Sequence, residues 1–164
     1  MYNGGMASLS PTAQKIQNLL NETGLKLTVQ EFADSTRTAQ EAADRVGSEI
    51  GQIVKSLVFR GSTTGSPILV LTSGANRVDE KRLSAYVSEP IERADAEFVR
   101  EVTGFAIGGV PPVGHAQALN TFLDEDLMGY QTIWAAAGTP NAVFELTPGE
   151  LKRLTHGKIV QVKH

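Results

Sequence analysis

Cysteine is absent from the 164 residues, which excludes disulfides, thiolate nucleophiles and thiolate metal sites. The absence fits a reducing compartment, so a cytoplasmic location is expected. Histidine is scarce. His115, His156 and His164 lie far apart and no metal-ligand spacing joins them, so neither a metal nor a cofactor is expected. Long apolar runs are missing too: none approaches the roughly 20 residues that cross a bilayer, and no membrane partner is expected. The opening Met1-Tyr2-Asn3-Gly4-Gly5-Met6 has neither the basic region nor the apolar stretch of a signal peptide, and 1–9 reads as a loose tail. Excess positive charge is also lacking, the formal net charge being −3. That argues against an extensive non-specific grip on a nucleic-acid duplex, which depends on lysine and arginine. It leaves room for a partner touched over a few phosphates.

What is present is ordinary in bulk. Hydrophobic residues make up 41% and charged residues 20%, as in a soluble globular protein, and the length suffices for one domain with a real core, assigned to 10–164. There is no internal repeat and no linker.

Two stretches stand out. The first is Phe105-Ala106-Ile107-Gly108-Gly109-Val110-Pro111-Pro112-Val113-Gly114-His115. It starts apolar, like the end of a buried strand, and becomes a loop of glycines and adjacent prolines. Glycine lets a ligand approach the backbone and proline stiffens the path, so the loop could hold bare N–H groups toward an anion or a carbonyl oxygen that gains charge. A tight turn between strands would use the same residues. The second stretch is Gln52-Ile53-Val54-Lys55-Ser56-Leu57-Val58-Phe59, an apolar, β-branched strand that reads as central. Lys55 shares a face with Ile53, Leu57 and Phe59. It is an edge-strand lysine that deters aggregation, a lysine that carries its ammonium out to water, or a cation held at the mouth of an apolar cavity for a phosphate or carboxylate.

The remaining elements follow from local signals. Ser10-Pro11 starts a helix with Ala13, Ile16, Leu19 and Leu20 on one stripe, ended by Gly24. Leu25 to Phe32 alternates as a strand. Thr38-Ala39-Gln40-Glu41 is a capping box for a short helix stopped near Gly47. Gly61 to Ser66 is a hairpin-like connection to the strand 67–72. Asp79 caps a helix through Val87, and a further helix spans 94–103. Strands are expected at 118–124, 131–136, 142–146 and 158–162, with Thr147-Pro148-Gly149-Glu150 starting a last helix. Asp124-Glu125-Asp126 reads as a solvated acidic turn rather than a metal site. About seven strands with clustered helices give an α+β class.

In this order and spacing, the Lys55 segment, Gly108 to His115, Ala137-Gly138-Thr139-Pro140-Asn141 and Leu146-Thr147-Pro148-Gly149-Glu150-Leu151 resemble the YbaK/prolyl-tRNA synthetase-associated editing domain family. The resemblance runs over about residues 25–162. It implies a mixed, barrel-like sheet with helices packed outside and one pocket. It also implies hydrolysis of the ester joining a wrong amino acid to a tRNA, commonly tRNA(Pro), with prolyl-tRNA synthetase as a further candidate partner. By the resemblance Lys55, Gly108 and Gly109 are the catalytic candidates, with the lysine steadying the 3′-terminal adenosine and phosphate. Ser56, Val110, Pro111, Pro112, His115 and Gly138 are the substrate-binding candidates. Some members place a histidine around Gly138 to Asn141 and this chain has none there. His115 either lines the pocket or caps the following segment. A non-catalytic module for a tRNA acceptor end or nucleotide, and a lysine forming a Schiff base with a small carbonyl compound, are the competing readings.

Overall fold

Each of the five α-helices among the described residues begins on a side chain that accepts from its first free N–H groups: Ser10, Thr38, Asp79, Asp95 and Thr147. Such a cap contributes about 1 kcal/mol. The capping boxes at Thr38/Glu41 and Thr147/Glu150 are both formed. The structure, a computed structural model, describes residues 8–164. Residues 1–7 of the expected tail lie outside that range, and Leu9 packs against the main core.

The elements are α1 (Pro11–Glu22), β1 (Val29–Glu31), α2 (Ala39–Val46), β2 (Val54–Gly61), β3 (Pro67–Ser73), α3 (Glu80–Val87), β4 (Ile91–Arg93), α4 (Ala96–Thr103), β5 (Asn120–Asp124), β6 (Ile133–Ala136), β7 (Ala142–Leu146), α5 (Pro148–Thr155) and β8 (Lys158–Val160). The strands form two sheets. One is antiparallel with order β1-β7-β6, and the other is mixed with order β4-β2-β3-β5-β8. The α+β class stands. The barrel-like expectation meets two separate sheets, joined by the isolated parallel bridge Ile53–Trp134, and no closed barrel forms among the described residues.

β3 is buried on both faces, which is why Ile68 to Leu71 are uniformly apolar. Leu69 and Leu71 join the main core with Ile16 and Leu20 of α1 and Phe144 of the other sheet. Ile68 and Val70 join a second cluster with Phe59, Phe122 and Leu83 of α3. The helical spacing of Ala13, Ile16 and Leu20, all fully buried, lays α1 across the first core. Its start is tied to β1 because Ser10 donates through N–H and Oγ to the Glu31 carboxylate, at 2.6 and 2.7 Å.

Two expectations need correction here. The strand end expected at Phe105 does not form. Gly104 ends α4 in the left-handed region, and the Thr103 hydroxyl accepts from Phe105 N–H, so this apolar stretch is folded back on the helix. Conversely β4 was not expected. Ile91-Glu92-Arg93 has no strand pattern of its own and becomes one by pairing with Phe59–Gly61.

Candidate functional site

β2 pairs with β3 along its length but with β4 only over Phe59–Gly61. Its first half therefore has an open edge, and the strand is not fully central as expected. That edge faces β6. The two strands touch at Ile53–Trp134 and leave a cavity of about 280 Å³ beyond it. The cavity is bordered by Val54 to Leu57, by Trp134 to Ala136, by the start of α2, and by Ile107, Gly108, Val110, Thr139 and Pro140. Strand backbone groups alternate in direction. Val58 carbonyl accepts from Ala94 N–H on the β4 side, so Ser56, two residues earlier, turns its peptide groups to the same open edge.

Lys55 is half-buried at this cavity. Its Nζ donates to the Asn76 carbonyl at 2.6 Å. Burial holds its ammonium below the ordinary lysine value of 10.5, Arg77 and Arg93 add to the effect, and Asp124 opposes it. Asn76 is itself anchored: its Nδ2 donates to Asp124 Oδ2 at 2.9 Å and to Asp126 Oδ2 at 2.8 Å. Asp124 is only 1% exposed and also accepts from Ser73 N–H at 3.0 Å. The acidic stretch is thus not a solvated turn at its first member. Asp124 is pulled inward because the end of β3 brings it two donors. Among the described residues no cluster of acids and histidines could hold a metal ion.

The glycine-proline loop is used more selectively than expected. Gly108, at φ +93°, borders the cavity, and its N–H has no partner among the described residues. Gly109 does not offer a bare amide: its N–H donates to the Ala106 carbonyl at 3.0 Å. Its importance is steric, since a Cβ there would stand 2.8 Å from Thr139 Cα and 2.9 Å from the Gly138 carbonyl oxygen. Gly138, at φ +100°, sits behind the wall against Thr12, Ile16 and Phe105. The two glycine loops are therefore packed backbone to backbone.

Lys55, Ser56, Gly108 and Val110 are brought together at one cavity; Pro111, Pro112 and His115 are not. Pro112 and His115 border a separate, open groove of about 710 Å³ with Leu119, Arg153 and Leu154. His115 Nε2–H donates to the Pro111 carbonyl at 2.7 Å, and burial pushes the imidazole below its ordinary value of 6.5. It is a neutral brace of its own loop, and a pocket role beside Lys55 does not fit its place. Arg37, Trp134 and Asn76 went unnoticed in the sequence. Arg37 precedes a capping box that marks a helix start, which was a usable signal. The other two reach the site only through tertiary pairing.

The family model of the aminoacyl-tRNA editing domain matches residues 33–154. The chain is 35% identical over 131 residues to the uncharacterized protein YwhH of Bacillus subtilis, covering 80% of this chain and 83% of that protein. It is 30% identical over 132 residues to the "Putative Cys-tRNA(Pro)/Cys-tRNA(Cys) deacylase EbsC" of Enterococcus faecalis, covering 80% of each. A crystal structure of a "putative trans-editing enzyme for prolyl tRNA synthetase" superposes with TM-score 0.90 at 52% identity, over 96% of this chain and 99% of that one.

Proposed function

The chain belongs to the aminoacyl-tRNA editing domain family, and from that premise we propose that it is a trans-editing deacylase. Its reaction is hydrolysis of the ester between a small non-cognate amino acid and the 3′ end of tRNA, with tRNA(Pro) as the carrier and the cytoplasm as the place. The names of two relatives support the tRNA(Pro) assignment. Prolyl-tRNA synthetase, which makes the charged tRNA, is then a natural partner. The observation that carries the reading is that Lys55 and Gly108 border the same cavity.

An aminoacyl ester is already activated, so positioning supplies most of what hydrolysis needs. Lys55 would hold the terminal phosphate and adenosine as a point charge. The Gly108 N–H would meet the carbonyl oxygen as it gains charge, a contribution of about 3 kcal/mol for a well-placed donor. Gly109 would act by letting the two loops close. The substrate's free ribose hydroxyl would orient the attacking water, which would remove the need for a side-chain base. Val110 would line the aminoacyl end.

The experiment is a deacylation panel with tRNA(Pro) charged with alanine, serine, cysteine or threonine. At least one ester should disappear faster than the uncatalysed rate, with a Lys55→Ala variant at least about tenfold slower. Background rates on all four would end the proposal, and binding without ester loss would turn it into an acceptor-end binding module.

A further inference from the structure

We infer that Asn76 is a positioning residue of this site: it sets where the Lys55 ammonium stands, through a backbone carbonyl that its own side chain ties to Asp124 and Asp126. The inference rests on the deacylase reading, in which Lys55 grips the substrate, and adds a residue that acts through Lys55 rather than on the substrate.

A lysine side chain has four rotatable bonds and keeps one geometry only if something fixes its end. Among the described residues Lys55 Nζ has a single hydrogen-bond partner, the Asn76 carbonyl at 2.6 Å, and the ion pairs do not include it. A neutral carbonyl orients the ammonium without cancelling its charge, and it takes one of three N–H donors. Two donors and the positive charge are left for a phosphate. A carboxylate in the same place would compete with the substrate for them.

The carbonyl is only as fixed as the turn that carries it. The turn is held at its start, where Ser73 Oγ donates to the Gly51 carbonyl and Gly74 N–H to the Ile53 carbonyl, both at 2.7 Å. The next backbone tie to another element is at Asp79, whose N–H reaches the Val162 carbonyl at 2.6 Å. Between them, Lys55 apart, the hydrogen-bonded link among the described residues is the Asn76 side chain. Its amide has two N–H donors and uses both, on Asp124 Oδ2 at 2.9 Å and Asp126 Oδ2 at 2.8 Å. Asparagine suits the place because it offers two donors and no charge. Serine would supply one donor, and aspartate would set a third carboxylate between two others. Lys163 Nζ, 2.8 Å from Asp126 Oδ2, joins Asn76 in holding the Asp126 carboxyl below its ordinary value of 3.8, so this end of the tether stays charged.

The test is a double-mutant cycle on the full chain, titrated with tRNA(Pro) carrying alanine through an uncleavable 3′-amide. The half-saturation concentration does not change when part of a preparation is unfolded. Asn76→Ala should raise it about tenfold, and Asn76→Asp, which keeps the size and loses both donors, at least as much. In a Lys55→Ala background each should shift it by less than about twofold, because the group they position is gone. Asp126→Ala removes one tether at a side chain that is 35% exposed, so it tests the same link with little risk to folding; it should give a smaller shift that also vanishes without Lys55. A second readout needs no tRNA: brief acetylation, followed by mass spectrometry, of Lys55 relative to the exposed Lys26 in the same molecules. That ratio should rise at least about threefold in Asn76→Ala as the ammonium is released. Wild-type half-saturation in the Asn76 variants, shifts that persist in the Lys55→Ala background, or an unchanged acetylation ratio would overturn the inference and leave the deacylase reading standing. Failure of the wild type to bind the amide would instead count against that reading, and the use of Asn76 in editing would fall with it.

Discussion

Replacing Asp124 by alanine should damage both the stability of the protein and the hold on Lys55. The carboxylate is 1% exposed and accepts from Ser73 N–H at 3.0 Å, Asn76 Nδ2 at 2.9 Å and Asp126 N–H at 2.9 Å. A hydrogen bond to a charged group contributes about 1.5–3 kcal/mol. Alanine removes three such bonds and leaves the Ser73 N–H buried without a partner. Some of the loss returns through water at the more open Asp126 end, so the net cost is about 3–5 kcal/mol, a large share of a normal domain's stability. In a chain of this size that lowers Tm by roughly 10 °C. Asn76 would also be left with the Asp126 carboxylate alone, and its carbonyl, the acceptor for Lys55 Nζ, would wander. Thermal unfolding followed by circular dichroism measures the first effect. Binding of an uncleavable aminoacyl-amide tRNA at a temperature where the variant is folded measures the second. Asp124→Asn keeps an acceptor oxygen and should lose about half as much stability. A Tm within 2 °C of wild type for Asp124→Ala would refute the claim that this carboxylate anchors the Lys55 side of the cavity.

Gly109→Ala should lower stability by about 1–3 kcal/mol, because its Cβ would meet the Thr139 and Gly138 backbone rather than a movable side chain. Deacylation should fall further than the folded fraction does; an unchanged Tm in chemical or thermal unfolding would contradict the close packing of the two loops. His115 is held neutral, its pKa below the ordinary 6.5, mainly by burial. A depressed pKa means the unfolded chain binds the proton more readily, so the stability it contributes is present above pH 6.5 and is lost as pH falls below that value. Urea midpoints at pH 7.5 and 5.5 should therefore differ less in His115→Phe than in wild type, and equal differences would exclude His115 as a source of the acid sensitivity.

Much of the local structure was written in short-range chemistry. Thr38 with Glu41, Thr147 with Glu150, and Ser10 before Pro11 name helix starts from neighbouring residues, and all three form. The same holds for Lys55, whose charge on an apolar strand marked it before any partner was visible. Features set by distant partners were not readable. Ile91–Arg93 is a strand only because β2 lies beside it. Asp124 is buried only because Ser73 and Asn76 come to it from the far end of β3. Phe105 is apolar for packing and not for pairing, so its hydrophobicity misled. Gly109 shows the limit most sharply: its type signalled a special backbone, but whether that served a free amide or a close approach depended on Gly138, far along the chain.

Trp134 is the only tryptophan and it borders the cavity, so it reports directly on occupancy. The decisive measurement is its fluorescence during titration with tRNA(Pro) carrying serine through a 3′-amide in place of the ester. If the aminoacyl end enters between β2 and β6 under the hold of Lys55, the emission should change saturably with wild type, and the Lys55→Ala curve should shift to at least about tenfold higher concentration. Binding that leaves Trp134 emission unaltered, or that Lys55→Ala leaves untouched, would contradict this assignment of the site.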